Sequence, residues 1–194
     1  MAVKKEFLTI EPEFPPKAWV ALIMFKKDLG PRMMLSIGLV FRGKKSFKRV
    51  MKSTEKQLLK EKITLEGAIV FRIKLKEKFP LKKEYWQQPT QDYSGVIRTK
   101  AMMKVARQPK LYKLLVLPRY YSQKSQTWIF EAASPFFVTA ETSAIEQFML
   151  TSRDVVDVRA KSAAIYSFEK AYGYDWINQA WRSEVTIEDD LEKN

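Results

Sequence analysis

Between Ala68 and Phe79 the chain reads AIVFRIKLKEKF, with apolar and charged residues taking turns. Ile69, Phe71, Ile73 and Leu75 fall on one parity, and Arg72, Lys74, Lys76 and Lys78 on the other. Successive side chains of a strand point to opposite faces. The segment therefore predicts a half-buried strand with an apolar inner face and a row of four cations outside. Ile97 to Val105 repeats the pattern more weakly, with Arg98, Lys100 and Lys104 on one face and Thr99, Ala101, Met103 and Val105 on the other. Within one sheet, the two strands would turn their cations into a patch rather than a line.

Around this stretch the other elements fall into place. Residues 1–16 read as a leader, because Pro12, Pro15 and Pro16 interrupt any strand begun by Phe7, Leu8 and Ile10. Ala18 to Phe25 and Met33 to Phe41 are apolar runs separated by Gly30-Pro31, which predicts a hairpin at the centre of the core. From Arg42 to Lys62, Phe47, Val50, Met51, Leu58 and Leu59 recur at helical spacing among seven cations from Lys44 to Lys60. This reads as a basic amphipathic helix, or a basic loop followed by a helix, which suits a solvated face, an anionic membrane surface or a phosphate backbone. Leu111 to Leu117, Trp128 to Phe130 and Phe136 to Thr139 read as further strands. Phe79 to Gly95 and Pro118 to Ser125 read as loops by their Pro, Gly, Gln and Ser content. Ala164, Ile165, Phe168, Ala171 and Tyr172 fit one helical face, closed by Gly173 as a C-cap. Tyr174, Ile177, Ala180 and Trp181 suggest a second short helix with Asp175 as its N-cap. These helices are expected to cover the sheet, or to present Trp176 or Trp181 to another subunit.

The expected fold class is α+β: a mostly antiparallel sheet or small barrel, OB-like in size and basic strand faces, with C-terminal helices packed on it. One domain spans 1–183, and 184–194 is an acidic tail carrying Glu184, Glu188, Asp189, Asp190 and Glu192. In composition this tail resembles those with which some single-strand-binding proteins recruit a protein partner or occupy their own cationic groove.

Charge narrows the function. The net charge is +13, and it is uneven. Residues 1–125 hold 29 of the 35 cations and 10 of the 22 acids. Such an imbalance speaks about partners rather than fold, and a polyanion is the usual one. The chain has no Cys and no His, which excludes thiolate nucleophiles, Ser-His systems and ordinary zinc sites. No GxGxxG or GxxxxGK[ST] occurs among its six glycines. Asp154, Asp157 and Lys161 form the nearest approach to a Mg²⁺-nuclease cluster, short of a third carboxylate. No catalytic residue, metal or cofactor is expected. The longest apolar run, Ala18 to Phe25, is far below the ~20 residues of a spanning helix. The N-terminus has too short an apolar run for a signal peptide, so a cytoplasmic location without membrane is expected.

The leading expectation is a non-enzymatic protein that binds DNA or RNA, single strands above all. Arg72, Lys74, Lys76, Lys78, Arg98, Lys100, Lys104 and Arg119 are the candidate phosphate contacts. Tyr85, Trp86, Tyr93, Tyr120 and Tyr121 are the candidate stacking platforms, since aromatics interleaved with cations on loops suit unpaired bases. Trp86 also suits a cap over the core. A structural or assembly subunit of a virion or ribonucleoprotein complex has the same charge and strand content, and a homo-oligomer is compatible with either. A Mg²⁺-dependent nuclease is the third reading.

Overall fold

The central strand pairs with a neighbour on each side, and the strands together close. The computed structural model describes residues 11–27, 32–81, 107–108, 110, 112–132, 138–139 and 161–182. In chain order these form β1 (Lys17–Lys27), β2 (Arg32–Phe41), α1 (Lys44–Leu59), β3 (Ile63–Pro80), β4 (Tyr112–Ser122), β5 (Thr127–Ala132), β6 (Val138–Thr139), β7 (Ser162–Asp175) and β8 (Ala180–Arg182). Neighbouring strands run β1–β2–β5–β4–β7–β3 and back to β1, a closed six-stranded barrel in which every pairing is antiparallel. Short β6 and β8 extend β4 and β7. The predicted hairpin is β1 with β2, and its partner β3 pairs along the whole of β1.

A barrel this small is filled by its own side chains. Ala18, Val20, Ile69, Phe71, Ile73, Leu114, Val116, Phe130, Ala132, Ala164, Tyr166 and Phe168 point inward and are buried. Phe14 enters the same core, its ring 4.9 Å from that of Phe130. The end of the expected leader thus belongs to the fold. The Tyr166 hydroxyl donates to the Pro15 carbonyl at 2.7 Å, and the Leu75 amide donates to the Pro16 carbonyl at 2.9 Å. These bonds satisfy polar groups that burial would otherwise leave unpaired.

Burial pushes the Tyr166 hydroxyl well above the ordinary tyrosine range, with the charge of Arg42 offsetting part of the rise. The unfolded chain releases this proton near pH 10, whereas the folded chain keeps it. Stability is therefore full below about pH 10 and falls as the pH rises beyond it. Urea midpoints measured across that range should show the fall, and Tyr166→Phe should shrink it. At neutral pH the same variant is expected to lose about 1–3 kcal/mol, because the Pro15 carbonyl stays buried without its donor.

The outer wall carries two more apolar clusters. Phe47 and Met51 of α1 are fully buried against Ala21, Phe41, Leu65, Ala68, Val70, Tyr174 and Trp176. Elsewhere Leu115, Leu117, Ala163 and Ile165 pack with Phe79.

Three expectations are corrected. Ala164 to Tyr172 is strand, not helix, and Trp176 to Gln179 is the turn joining β7 to β8. No C-terminal helix packs on the sheet among the described residues, whose one helix is the N-terminal α1. The reason is that β7 is apolar on both faces near its two ends, and a bulge at Glu169 breaks the alternation between them. Its inner residues fill the barrel, while Ala163, Ile165 and Tyr174 belong to the outer clusters. A strand buried on both sides loses its period of two and imitates a helical stripe. Gly173 pairs with Arg182, and Asp175 opens the turn rather than capping a helix. The stretch from Pro118 to Ser122, read as loop, continues β4. A bulge at Arg119 accommodates the proline, which cannot donate to the ladder.

The third correction falls on the central strand. β3 contains a bulge at Lys76, between the pairs Leu75 with Tyr166 and Glu77 with Ile165. One extra residue inverts the alternation beyond it. Lys78 then lies opposite inward-facing Ala164, at the barrel rim, while Phe79 turns outward into the cluster with Leu115 and Leu117. The four cations are therefore not one row. Arg72 and Lys74 share the outer wall, Lys76 sits in the bulge, and Lys78 takes the other side.

Candidate polyanion-binding surface

Among the described residues the strongest cationic feature is α1, whose two sides have opposite character. Phe47, Val50, Met51 and Leu58 face the barrel. Lys45, Arg49, Lys52, Lys56 and Lys60 recur at i, i+4, i+7, i+11 and i+15, and all are exposed. At 1.5 Å per residue this stripe runs about 22 Å along the side away from the barrel. Glu55 is the only acid in α1, and its carboxylate is engaged at 2.6 Å by the Trp176 indole N–H. Lys44 and Lys48 lean elsewhere: Lys44 Nζ lies 4.8 Å from the Trp181 ring centroid and 5.9 Å from that of Trp19, and Lys48 Nζ lies 5.5 Å from that of Tyr174.

This arrangement works against the helix itself. Like charges at i, i+4 destabilise a helix by a few tenths of a kcal/mol per pair. The first turn holds no acid, and two lysines sit at the positive end of the dipole. Among the described residues no side chain caps that end, where Gly43 stands. Helix α1 is held by the burial of its apolar side against the barrel, and its charges oppose it.

The register assembles a second group on the outer wall. Residues directly opposite in a ladder share a face. Lys17 lies opposite Lys74, Lys74 opposite Ser167, and Ser167 opposite Lys113, a row across four strands spanning about 14 Å. The next row runs Trp19, Arg72, Lys170. Lys17, Lys74 and Lys170 are exposed. The direct opposition of Lys17 and Lys74 is unfavourable in a free sheet.

Arg72 does not share their freedom. Its Nε donates to Glu169 Oε2 at 2.7 Å, and a bulge in β7 delivers that carboxylate. Both side chains remain partly exposed, so the pair contributes little to stability, but it neutralises the charge in place. Arg119 likewise pairs with Glu131 at 3.4 Å. Burial raises the Glu131 carboxyl above its usual range, and Arg119 pulls it partly back. Asp175 is held below the usual carboxylate range, first by the Asn178 backbone N–H, then by the Asn178 side chain, with Arg182 also lowering it. It organises the β7–β8 turn.

Of the residues marked out in the sequence, Lys74, Lys76 and Lys78 are exposed. Tyr120 is 53% exposed, whereas Tyr121 packs edge-on against Trp128, its cross-strand partner, at 5.6 Å. Arg119, Tyr120 and Tyr121 lie on β4, across the barrel from β1, so the structure does not join them to the α1 surface. Tyr85, Trp86, Tyr93, Arg98, Lys100 and Lys104 lie outside the described residues, as do Asp154, Asp157 and the acidic tail. Among the described residues no group of three His, Cys, Asp or Glu is placed to hold a metal ion, and no helix is long and apolar enough to cross a membrane.

Sequence reasoning left the α1 cations Lys45, Arg49, Lys52, Lys56 and Lys60 out of the candidate phosphate contacts, and it also missed Lys17, Lys170, Trp19 and Tyr172 as site residues. Each of the latter is unremarkable in its own segment, and only the register joins them. The helical spacing of α1 was legible, but the gathering of five of its cations into one stripe facing away from the barrel was not.

Comparison with known proteins finds no family model that fits the chain, and no curated protein or solved structure that matches it.

Proposed function

We propose that the chain is a non-enzymatic nucleic-acid-binding protein that holds the phosphate backbone of a single strand. The observation that carries this reading is the α1 stripe, four exposed cations on a helix and a fifth, Lys60, at its C-cap, with the one acid of the helix turned to Trp176. A merely solvated helix gains from mixed charges at i, i+4. A one-sign stripe becomes favourable when a polyanion releases its condensed counterions onto it. Lys17, Lys74 and Lys170 extend the same sign over the wall of β1, β3 and β7.

Salt titration tests the reading. The affinity for a single-stranded oligonucleotide should fall linearly with salt on logarithmic axes, with a slope of about −0.7 per phosphate contact. Five to eight contacts predict a slope between about −3.5 and −6. A slope near zero, or no binding at low salt, would remove the reading.

A further inference from the structure

One part of the outer wall combines cations with aromatic rings. Trp19 of β1 and Tyr172 of β7 face outward on either side of β3, with ring centroids 5.6 Å apart and planes inclined at 45°. Trp181 of β8 stands 6.1 Å from Trp19. All three are partly exposed, whereas Phe47 and Met51, deeper in the same cluster, are sealed. The charges around them are Lys170 in the row of Trp19, Lys17 and Lys74 in the adjoining row, Lys44 over Trp19 and Trp181, and the neutralised Arg72–Glu169 pair.

We propose that Trp19 and Tyr172 form a base-stacking site for an unpaired nucleobase of a single strand, with the flanking phosphates held by Lys17, Lys74, Lys170 and Lys44. The proposal rests on the nucleic-acid reading above and names where on the molecule the bases go. An aromatic platform accepts either a cation or another π face. A cationic ligand is disfavoured here, because Lys44 Nζ already lies over Trp19 and Trp181 and the register sets Lys17, Lys74 and Lys170 on the same face within a row or two. The complementary ligand is anionic and carries flat rings, which describes a polynucleotide with unstacked bases. A duplex hides those faces, so the site selects single strands. Stacking adds affinity with little sequence preference, since every base has a π face.

The test compares two probes on the full chain: oligothymidylate of about sixteen nucleotides, and an abasic strand of the same phosphate count. The unsubstituted protein is expected to prefer oligothymidylate by about tenfold or more. Trp19→Leu and Tyr172→Leu should each reduce that preference while keeping the salt slope, and Trp19→Phe should retain most of it. Equal affinity for the two probes overturns the stacking site yet leaves the phosphate-binding reading standing, and this comparison needs no variant to fold. A preference that persists undiminished in both Leu variants also overturns it, by placing the stacking elsewhere. Binding to neither strand, with or without adsorption to phosphatidylserine vesicles, overturns both readings.

Discussion

Replacing Lys45, Arg49, Lys52 and Lys56 together by Gln is expected to lower single-strand affinity by about 10²–10³-fold at 0.1 M salt, and to flatten the salt slope by about 3. The two numbers are linked. Each phosphate contact to a single strand contributes about 0.7 to the slope, so four lost contacts remove nearly three, which amounts to that many decades at 0.1 M. The variant should fold at least as well as the parent. Gln is a good helix former, and the substitutions remove like-charge pairs at i, i+4 along α1. Thermal melts should therefore hold steady or rise while binding collapses. A structural role for these side chains predicts the opposite, a lower melting temperature with unchanged affinity, so anisotropy titrations and melts on one preparation separate the two. Unchanged affinity in a well-folded variant would show that the stripe is not the interface.

Phe47→Ala should have the largest effect on stability, about 3–5 kcal/mol. Phe47 has no exposed surface, and its ring meets Tyr174 at 5.5 Å and Phe41 at 5.7 Å, both edge-on, and Trp181 at 5.7 Å. It is the side chain through which α1 grips β2, β7 and β8. A loss of that size is a large part of the 5–15 kcal/mol that stabilises a typical domain. Helix α1 lacks a side-chain cap and repels itself, and an isolated helix of this length is marginal in water. The truncation should therefore loosen the helix as well as the barrel, and helical ellipticity should fall along with the urea midpoint. Phe47→Leu, which keeps much of the volume, should lose far less. A loss below about 1 kcal/mol for Phe47→Ala would mean that the helix is seated by other contacts.

Strands with one wet face were legible from the sequence, because a period of two survives wherever one side stays polar. That made β3 visible from Ala68 onward, with its sides correctly assigned from Ile69 to Leu75, and the β1–β2 hairpin followed from two apolar runs around Gly30-Pro31. Helix α1 was legible for the same reason at the helical period, its apolar residues recurring against a basic background. β7 failed because Ala163, Ile165 and Tyr174 are buried on its outer face while the inner face fills the barrel, and the bulge at Glu169 shifts the alternation between them. The bulge at Lys76 failed differently. An inserted residue alters no composition, yet it reverses every side chain beyond it, so Lys78 and Phe79 exchanged the sides that alternation assigned them.

Composition and periodicity alone determined that this chain is strongly basic, rich in strands, and equipped with one cationic amphipathic helix. Neither could decide which cations stand together. Lys17, Lys74 and Lys170 are separated by long stretches of chain, and barrel closure sets them on adjoining rows of one wall. Arg72 has the same local sequence signature as Lys74, but a bulge 97 residues further along supplies it with a carboxylate and takes it out of the set. Proximity across a sheet is fixed by register and closure, which are properties of the whole fold, and no local window of sequence contains them.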